Sequence, residues 1–151
     1  MTRLTYRSAT AADLPFIIGL IVEDSVLATL DDPAAGDPGY AAALAAIDAD
    51  PNQEMLIAEL HGEPVGCFQL SYIPGLMRKG MWRGQIEVVH VPADRRNLGI
   101  GSEMMGWAIA RCRERGCGLV QLTSNKARHA AHRFYVRLGF AQSHEGFKLL
   151  L

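Results

Sequence analysis

The sequence predicts a mixed α/β domain over residues 1–151, with a central, mostly antiparallel sheet and helices on both faces. Three observations carry that expectation. Apolar residues recur with the strand period in some segments and the helix period in others. The turn His61-Gly62-Glu63-Pro64 joins two apolar runs in the manner of a hairpin. A β-branched run ending at Val91 passes through a glycine-containing loop straight into an amphipathic segment.

Taken in order, Leu4 to Arg7 reads as a short strand. Thr10-Ala11-Ala12-Asp13 places a capping hydroxyl three residues before an acid, a variant of the capping box, and starts a helix running to about Thr29. Residues 31–39, rich in Asp, Pro and Gly, form a loop. An Ala-rich helix spans about Tyr40 to Asp48 and stops before Pro51. Glu54 to Leu60 and Val65 to Ile73 are the strands of the hairpin, and Pro74 to Gly80 is a second loop. Met81 to Val91 is a long strand. From Ile100 to Arg115 the apolar Met104, Met105, Ala108, Ile109 and Cys112 fall at helical spacing, and Gly116 supplies the stop. Leu119 to Leu122 is a strand, Ala127 to Leu138 a helix ended by Gly139, and Phe147 to Leu151 a closing strand. The order is β-α-α-β-β-β-α-β-α-β.

Composition narrows the function classes. Hydrophobic residues make up 49%, charged residues 21%, and the formal net charge is −1, so no basic excess marks nucleic acid as a partner. No apolar stretch approaches the roughly 20 residues of a membrane span. Residues 1–7 read as a strand rather than the apolar core of a signal peptide, which makes the cytoplasm the expected location. Cys67, Cys112 and Cys117 form no C-x-x-C pair, so neither a disulfide scaffold nor a zinc cluster is expected. Cys112 reads as core; Cys67 and Cys117 read as buried, with a place beside a thioester as the alternative.

The segment Val88 to Ser102 carries the strongest chemical signal. A strand ends, Arg95 and Arg96 follow, and Gly99 and Gly101 open a helix. A helix start leaves backbone N–H groups unpaired and carries about half a positive charge. Glycines let a ligand approach the main chain, and a guanidinium offers a planar fork to phosphate oxygens. The parts make a pyrophosphate-binding turn. A nucleotide P-loop is excluded because no G-x-x-x-x-G-K-[ST] string occurs. The dinucleotide fingerprint fails because Met104 stands where its third glycine belongs.

What remains is R-x-x-G-x-G, read as Arg96, Gly99 and Gly101, after a strand and before a helix. Here the chain resembles the GNAT superfamily of N-acetyltransferases. Family members often have Gly after the arginine where this chain has Asn97, a residue that tolerates left-handed backbone. The resemblance implies acetyl-CoA as co-substrate, with its pyrophosphate on Arg96, Asn97, Leu98, Gly99, Ile100, Gly101 and Ser102. It also implies contacts from the pantetheine to the main chain of Val89, His90 and Val91, on a strand splayed from its neighbour. The same order of elements is implied.

A second stretch adds to the likeness. Phe134-Tyr135 and Gly139-Phe140 match the family's F-Y-x-x-x-G-F, with the tyrosine near the coenzyme's sulfur, and Asn125 matches a polar residue touching the pantetheine or phosphate arm. Without the family, Arg128, His129, His132 and Arg133 are a solvated basic helix face. His129 and His132 are spaced as ligands would be, but no third ligand is apparent, and no metal is expected.

Acetyl transfer to an amine needs a proton acceptor, because an ammonium has no lone pair. At neutral pH the free base of a lysine-like amine is roughly three decades scarce, about 4 kcal/mol. Glu87, an acid among apolar strand neighbours, is the candidate base, and strict alternation puts it on one face with Val89 and Val91. Aminoalkylphosphonate acetyltransferases place their acid one residue later, at the position of Val88. Tyr135 is the candidate acid for the departing thiolate, and His90, His129 and His132 are alternatives for proton transfer. Oxyanion stabilisation falls to main-chain N–H groups of the splayed strand.

The acceptor is less determined. Glu23, Asp24, Asp31, Asp32 and Asp37 form an acidic group able to attract a cationic amine or simply to solvate a loop. The stretch Ser124 to Tyr135 with Gln142-Ser143-His144 looks most like aminoalkylphosphonate N-acetyltransferases, and a phosphonate would call for Arg78, Lys79 or Arg83. The expected reaction is direct acetyl transfer in a ternary complex to a primary amine of a small molecule. The alternatives are a protein N-terminal or lysine acetyltransferase and a non-catalytic coenzyme-A-binding regulatory module. The family also admits a homodimer through the C-terminal strands.

Overall fold

Five strands form one sheet in the order β1-β2-β3-β4-β5 in the computed structural model, which describes residues 3–25 and 30–151. Strands β1 (Thr5–Ser8), β2 (Gln53–Leu60), β3 (Glu63–Ile73) and β4 (Arg83–His90) pair antiparallel. Strand β5 (Leu119–Leu122) lies parallel to β4, as the long helical crossover between them requires. The β2–β3 hairpin turns on His61 (φ +54°) and Gly62 (φ +83°), the left-handed pair that a two-residue turn demands.

Helices cover both faces. On one lies α1 (Leu14–Glu23), preceded by the 3-10 turn Ala11–Asp13, and α2 (Pro38–Ala49), capped by Asp37 Oδ1 accepting from Gly39 N at 2.8 Å. Their apolar residues Ile17, Ile18, Leu20 and Leu44 bury Met55, Ile57 and Cys67 of the sheet. On the other face α4 (Ile100–Glu114) and α5 (His129–Arg137) pack over Leu56, Ala58, Phe68, Leu70 and Ile86. Both end as the glycines predict: Gly116 (φ +79°) and Gly139 (φ +97°) are left-handed, and Cys117 N and Phe140 N donate back to Cys112 O and Tyr135 O. Between β3 and β4, the single turn α3 (Met77–Gly80) has Arg78 and Lys79 at positive φ.

Three expectations are corrected. The helix expected from Thr10 to Thr29 is regular only to Glu23; Asp24 caps it, and Val26 to Thr29 lie outside the described residues. The closing strand Phe147 to Leu151 does not form: these residues have no ladder partner, and Phe147, Leu149, Leu150 and Leu151 are 94%, 85%, 90% and 117% exposed. Apolar composition supplied the strand signal, but a strand needs an edge to pair with. The alternation of β4 breaks at Val88, whose φ is +56°. Gln69 pairs with Glu87 and Cys67 with His90, so β4 carries one residue more than β3 there, a β-bulge.

Candidate active site

The bulge decides what each side chain of β4 faces. Before it, Ile86 packs toward α4 while Arg83, Gln85 and Glu87 face the α1/α2 side. After it, Val89 and Val91 join Ile86's core, and Val88 joins the core under α1. Glu87 therefore does not share a face with Val89 and Val91. It is exposed and sits opposite Gln69, in a polar strip that runs through Gln53, Ser71, Gln85 and Gln121. Gln121 donates to Gln85 at 2.6 Å and Gln69 to Gln53 at 3.3 Å. A cleft of about 350 Å³ opens at the Gln53–Ser71 end of the strip, bordered by Asp50 and Asn52.

The strands part where the bulge begins. The β4–β5 ladder ends at Ile86 opposite Leu122, leaving Val89, His90 and Val91 with no β5 residue opposite them. An unsatisfied hydroxyl lies at this fork: Ser124 Oγ, just past β5, is buried and has no hydrogen-bond partner. Unpaired main-chain groups and an orphaned hydroxyl suit an amide-bearing arm laid between two strands. The residues present fit a pantetheine.

The glycine loop has the backbone that its residues suggest. Asn97 is left-handed at φ +61°, as is Gly99 at φ +80°, and Gly99 caps α4. Gly101 lies against α5: a Cβ there would come 3.4 Å from Phe134 Cζ, an ordinary contact. Arg96 does not extend its fork into the loop. Its Nη2 donates to Asp24, and its Nε donates to Val91 O at 3.2 Å. The cation that does lie along the loop is Arg3, whose Nη2 donates to Leu98 O at 2.7 Å. The opening residues read only as a strand, and nothing in their pattern pointed to this.

Asp24 accepts from both Arg96 and His90, whose Nδ1 is 2.5 Å from its Oδ2. Burial works to raise this carboxyl's pKa, but the interactions with His90 and then Arg96 hold it below the usual carboxylate range. Three other acids of the expected group are held locally. Asp32 accepts from Ala34, Gly36 and Asp37 N–H groups, Asp37 caps α2, and Asp31 accepts from the Tyr40 hydroxyl at 3.0 Å.

Tyr135 is half-buried on α5, with the Phe134 and Phe140 rings at 5.2 and 6.0 Å. Burial raises its pKa and outweighs the opposing charge of Arg128, so the phenol is protonated at neutral pH. Asn125 folds inward: its Oδ1 accepts from Ala127 N at 2.9 Å. His132 Nε2 meets Asn125 O at 2.8 Å and is not turned toward Glu87. Cys67 is fully buried, and burial pushes its thiol up to about 12, which fits core rather than chemistry. Among the described residues no cluster of three or more His, Cys, Asp or Glu is arranged to hold a metal ion. Arg78 and Lys79 are exposed in α3, and Arg83 stands four residues from Glu87, about 13 Å along an extended strand. None of these three cations is beside the candidate base.

A bulged strand splayed from a parallel neighbour, followed by a glycine-capped helix, is the arrangement expected of the acyl-transfer family that the sequence resembles. Comparison with known proteins agrees. The Acetyltransferase (GNAT) family profile matches residues 24–140, and the chain belongs to this family. It is 36% identical over 141 residues to an aminoalkylphosphonate N-acetyltransferase of Salmonella typhimurium, covering 93% of this chain and 87% of that one. A crystal structure of a transcriptional regulator from Bacillus halodurans is 39% identical, with a TM-score of 0.88 over 98% of this chain and 99% of that one. A Clostridium acetobutylicum chain solved with acetyl-CoA shares the fold at 18% identity and a TM-score of 0.70, over 97% of this chain and 96% of that one. The protein is an N-acetyltransferase acting on amines. No helix among the described residues is long and apolar enough to cross a membrane.

Proposed function

We propose that the protein moves an acetyl group from acetyl-CoA to the primary amine of a small molecule by direct attack in a ternary complex. The observation that carries this is the fork at Ile86–Leu122, which opens beside Glu87 on one strand and toward the α5 helix that bears Tyr135. Backbone N–H groups of the loop from Asn97 to Ser102 receive the pyrophosphate at the start of α4, with Arg3 and Arg96 as flanking cations. Main-chain groups of Val89, His90 and Val91, with Ser124 and Asn125 across the fork, hold the pantetheine and present an N–H to the carbonyl oxygen. Glu87, exposed and without an ion pair among the described residues, faces the incoming ammonium, a proton acceptor on this face of β4 takes the amine's proton, and the protonated Tyr135 supplies one to the departing sulfur.

The acceptor class follows from the relative named for aminoalkylphosphonates, which supports short amines bearing an anionic group as the first to test. Thiol release from acetyl-CoA, measured against aminoalkylphosphonates, polyamines, aminoglycosides and peptides, tests the reading. Turnover with a short amine is the expected result. Turnover confined to peptides would favour protein acetylation, and coenzyme binding without transfer to any amine would favour a regulatory module.

The assembly proposed is a homodimer. Phe147, Leu149, Leu150 and Leu151 hold roughly 400 Å² of apolar side chain, and β5 ends the sheet with its outer edge unpaired among the described residues. Two such segments, each covered by an equal area of a second copy, bury about 1,600 Å², a standard interface.

A further inference from the structure

Glu87 and His90 are three apart in sequence, yet the bulge at Val88 sets them on the same face of β4 in adjacent rows, opposite Gln69 and Cys67. Adjacent rows on one face lie about 7 Å apart, within the span of one small amine. An unbulged strand would have turned the two side chains to opposite faces. The fork to which the amine must come opens at the same rows.

The His90 ring is held in one orientation. Nδ1 meets the Asp24 carboxylate at 2.5 Å, with the two side chains only 12% and 9% exposed. Asp24 is itself fixed by Arg96. A carboxylate accepts only, so Nδ1 carries a proton, and Nε2 is the ring position at which a further proton can be accepted. Among the described residues Nε2 has no hydrogen-bond partner. The buried side-chain polar atoms without a partner among the described residues are Tyr6 Oη and Ser124 Oγ, so Nε2, which is not among them, keeps some access to solvent.

We propose that His90 is a catalytic base of this acetyl transfer, with Asp24 as its positioning residue and Glu87 as the group that draws in the ammonium. The inference rests on the acetyl-transfer reading given above. The ammonium gives one proton to His90 Nε2, and the freed lone pair forms the C–N bond as the C–S bond breaks. The nitrogen's second proton replaces the one that Tyr135 passes to sulfur, and the imidazolium returns its proton to water. One proton is released per turnover. The charged or titratable groups facing the ring are Asp24 from α1, Arg96 from the loop, Glu87 from its own strand and Cys67 from β3. Asp24 stabilises the imidazolium that forms.

The test compares His90→Gln, Asp24→Asn and Glu87→Gln with the wild type. Glutamine can still donate to Asp24 but takes no proton at neutral pH. His90→Gln is expected to lower kcat/KM about 100-fold and to abolish the acid limb of its pH profile, while coenzyme A affinity stays within about twofold. Asp24→Asn is expected to move that limb, and Glu87→Gln to raise the KM for the amine while keeping the limb. A His90→Gln enzyme within about threefold of wild type, with its limb intact, overturns the proposal. A readout without turnover separates this from failure of the reading itself. In ¹⁵N-imidazole spectra of the coenzyme-A-bound protein, added amine should shift the His90 Nε2 resonance, and an unmoved resonance overturns the dyad even if transfer is seen.

Discussion

Gly101 at the start of α4 lies against Phe134 of α5, where an added Cβ would come 3.4 Å from Cζ. That distance is ordinary contact, so a methyl fits. Gly101→Ala should leave stability unchanged or raise it by up to about 1 kcal/mol, because alanine favours the helix. Coenzyme A affinity should fall, since the methyl also narrows the approach to the main chain. Gly99→Ala should behave differently, costing about 1–2 kcal/mol because φ there is +80°. Thermal melts with and without coenzyme A separate the two effects.

Tyr135→Phe should slow turnover about 100-fold or more while sparing coenzyme A affinity, because it removes a proton and leaves the packing against Phe134 and Phe140. Unchanged kcat would remove the acid role.

Stability should depend on pH through Asp13. Its hydrogen bond with Arg7, then that with Thr10 N at 2.7 Å, lowers its pKa from 3.8 to about 2 despite burial. The folded carboxyl stays ionised where the unfolded one has begun to take up its proton. The stabilisation is therefore full above about pH 5 and lost as pH falls toward 2. Its upper bound is about 2 kcal/mol, reduced because Arg7 is 38% exposed. Denaturant titrations of Asp13→Asn should show a loss at pH 7 that disappears near pH 2; an equal loss at both would contradict this.

Removing residues 147–151 should convert a dimer to a monomer in sedimentation while leaving the thermal transition of the sheet in place, since their side chains lie outside both cores. A monomeric full chain would contradict the proposed pairing.

Much of this arrangement was legible in the sequence because its causes are local. Glycine stops and the His61-Gly62 turn are written in single residues, and the structure has them where the chain predicts. The left-handed Asn97 follows likewise from its side chain. What was not legible depends on pairing. Alternation assumed an unbroken β4, and only the register against β3 shows the extra residue that turns Glu87 and His90 to one face. Asp24 read as one of an acidic group spread over the first helix and the loop after it, since nothing local brings it to His90 and Arg96, 66 and 72 residues away. Phe147 to Leu151 had the composition of a strand, but composition cannot provide a partner edge.

Calorimetric titration of coenzyme A into wild type, Gly99→Ala and Arg96→Ala tests the central claim most directly. The account predicts saturable one-to-one binding to wild type, weakened at least about tenfold by Gly99→Ala. It also predicts that loss of affinity in Arg96→Ala shrinks as salt screens the phosphate charge. No heat with wild type, or equal affinity for all three proteins, would contradict a diphosphate held at the start of α4.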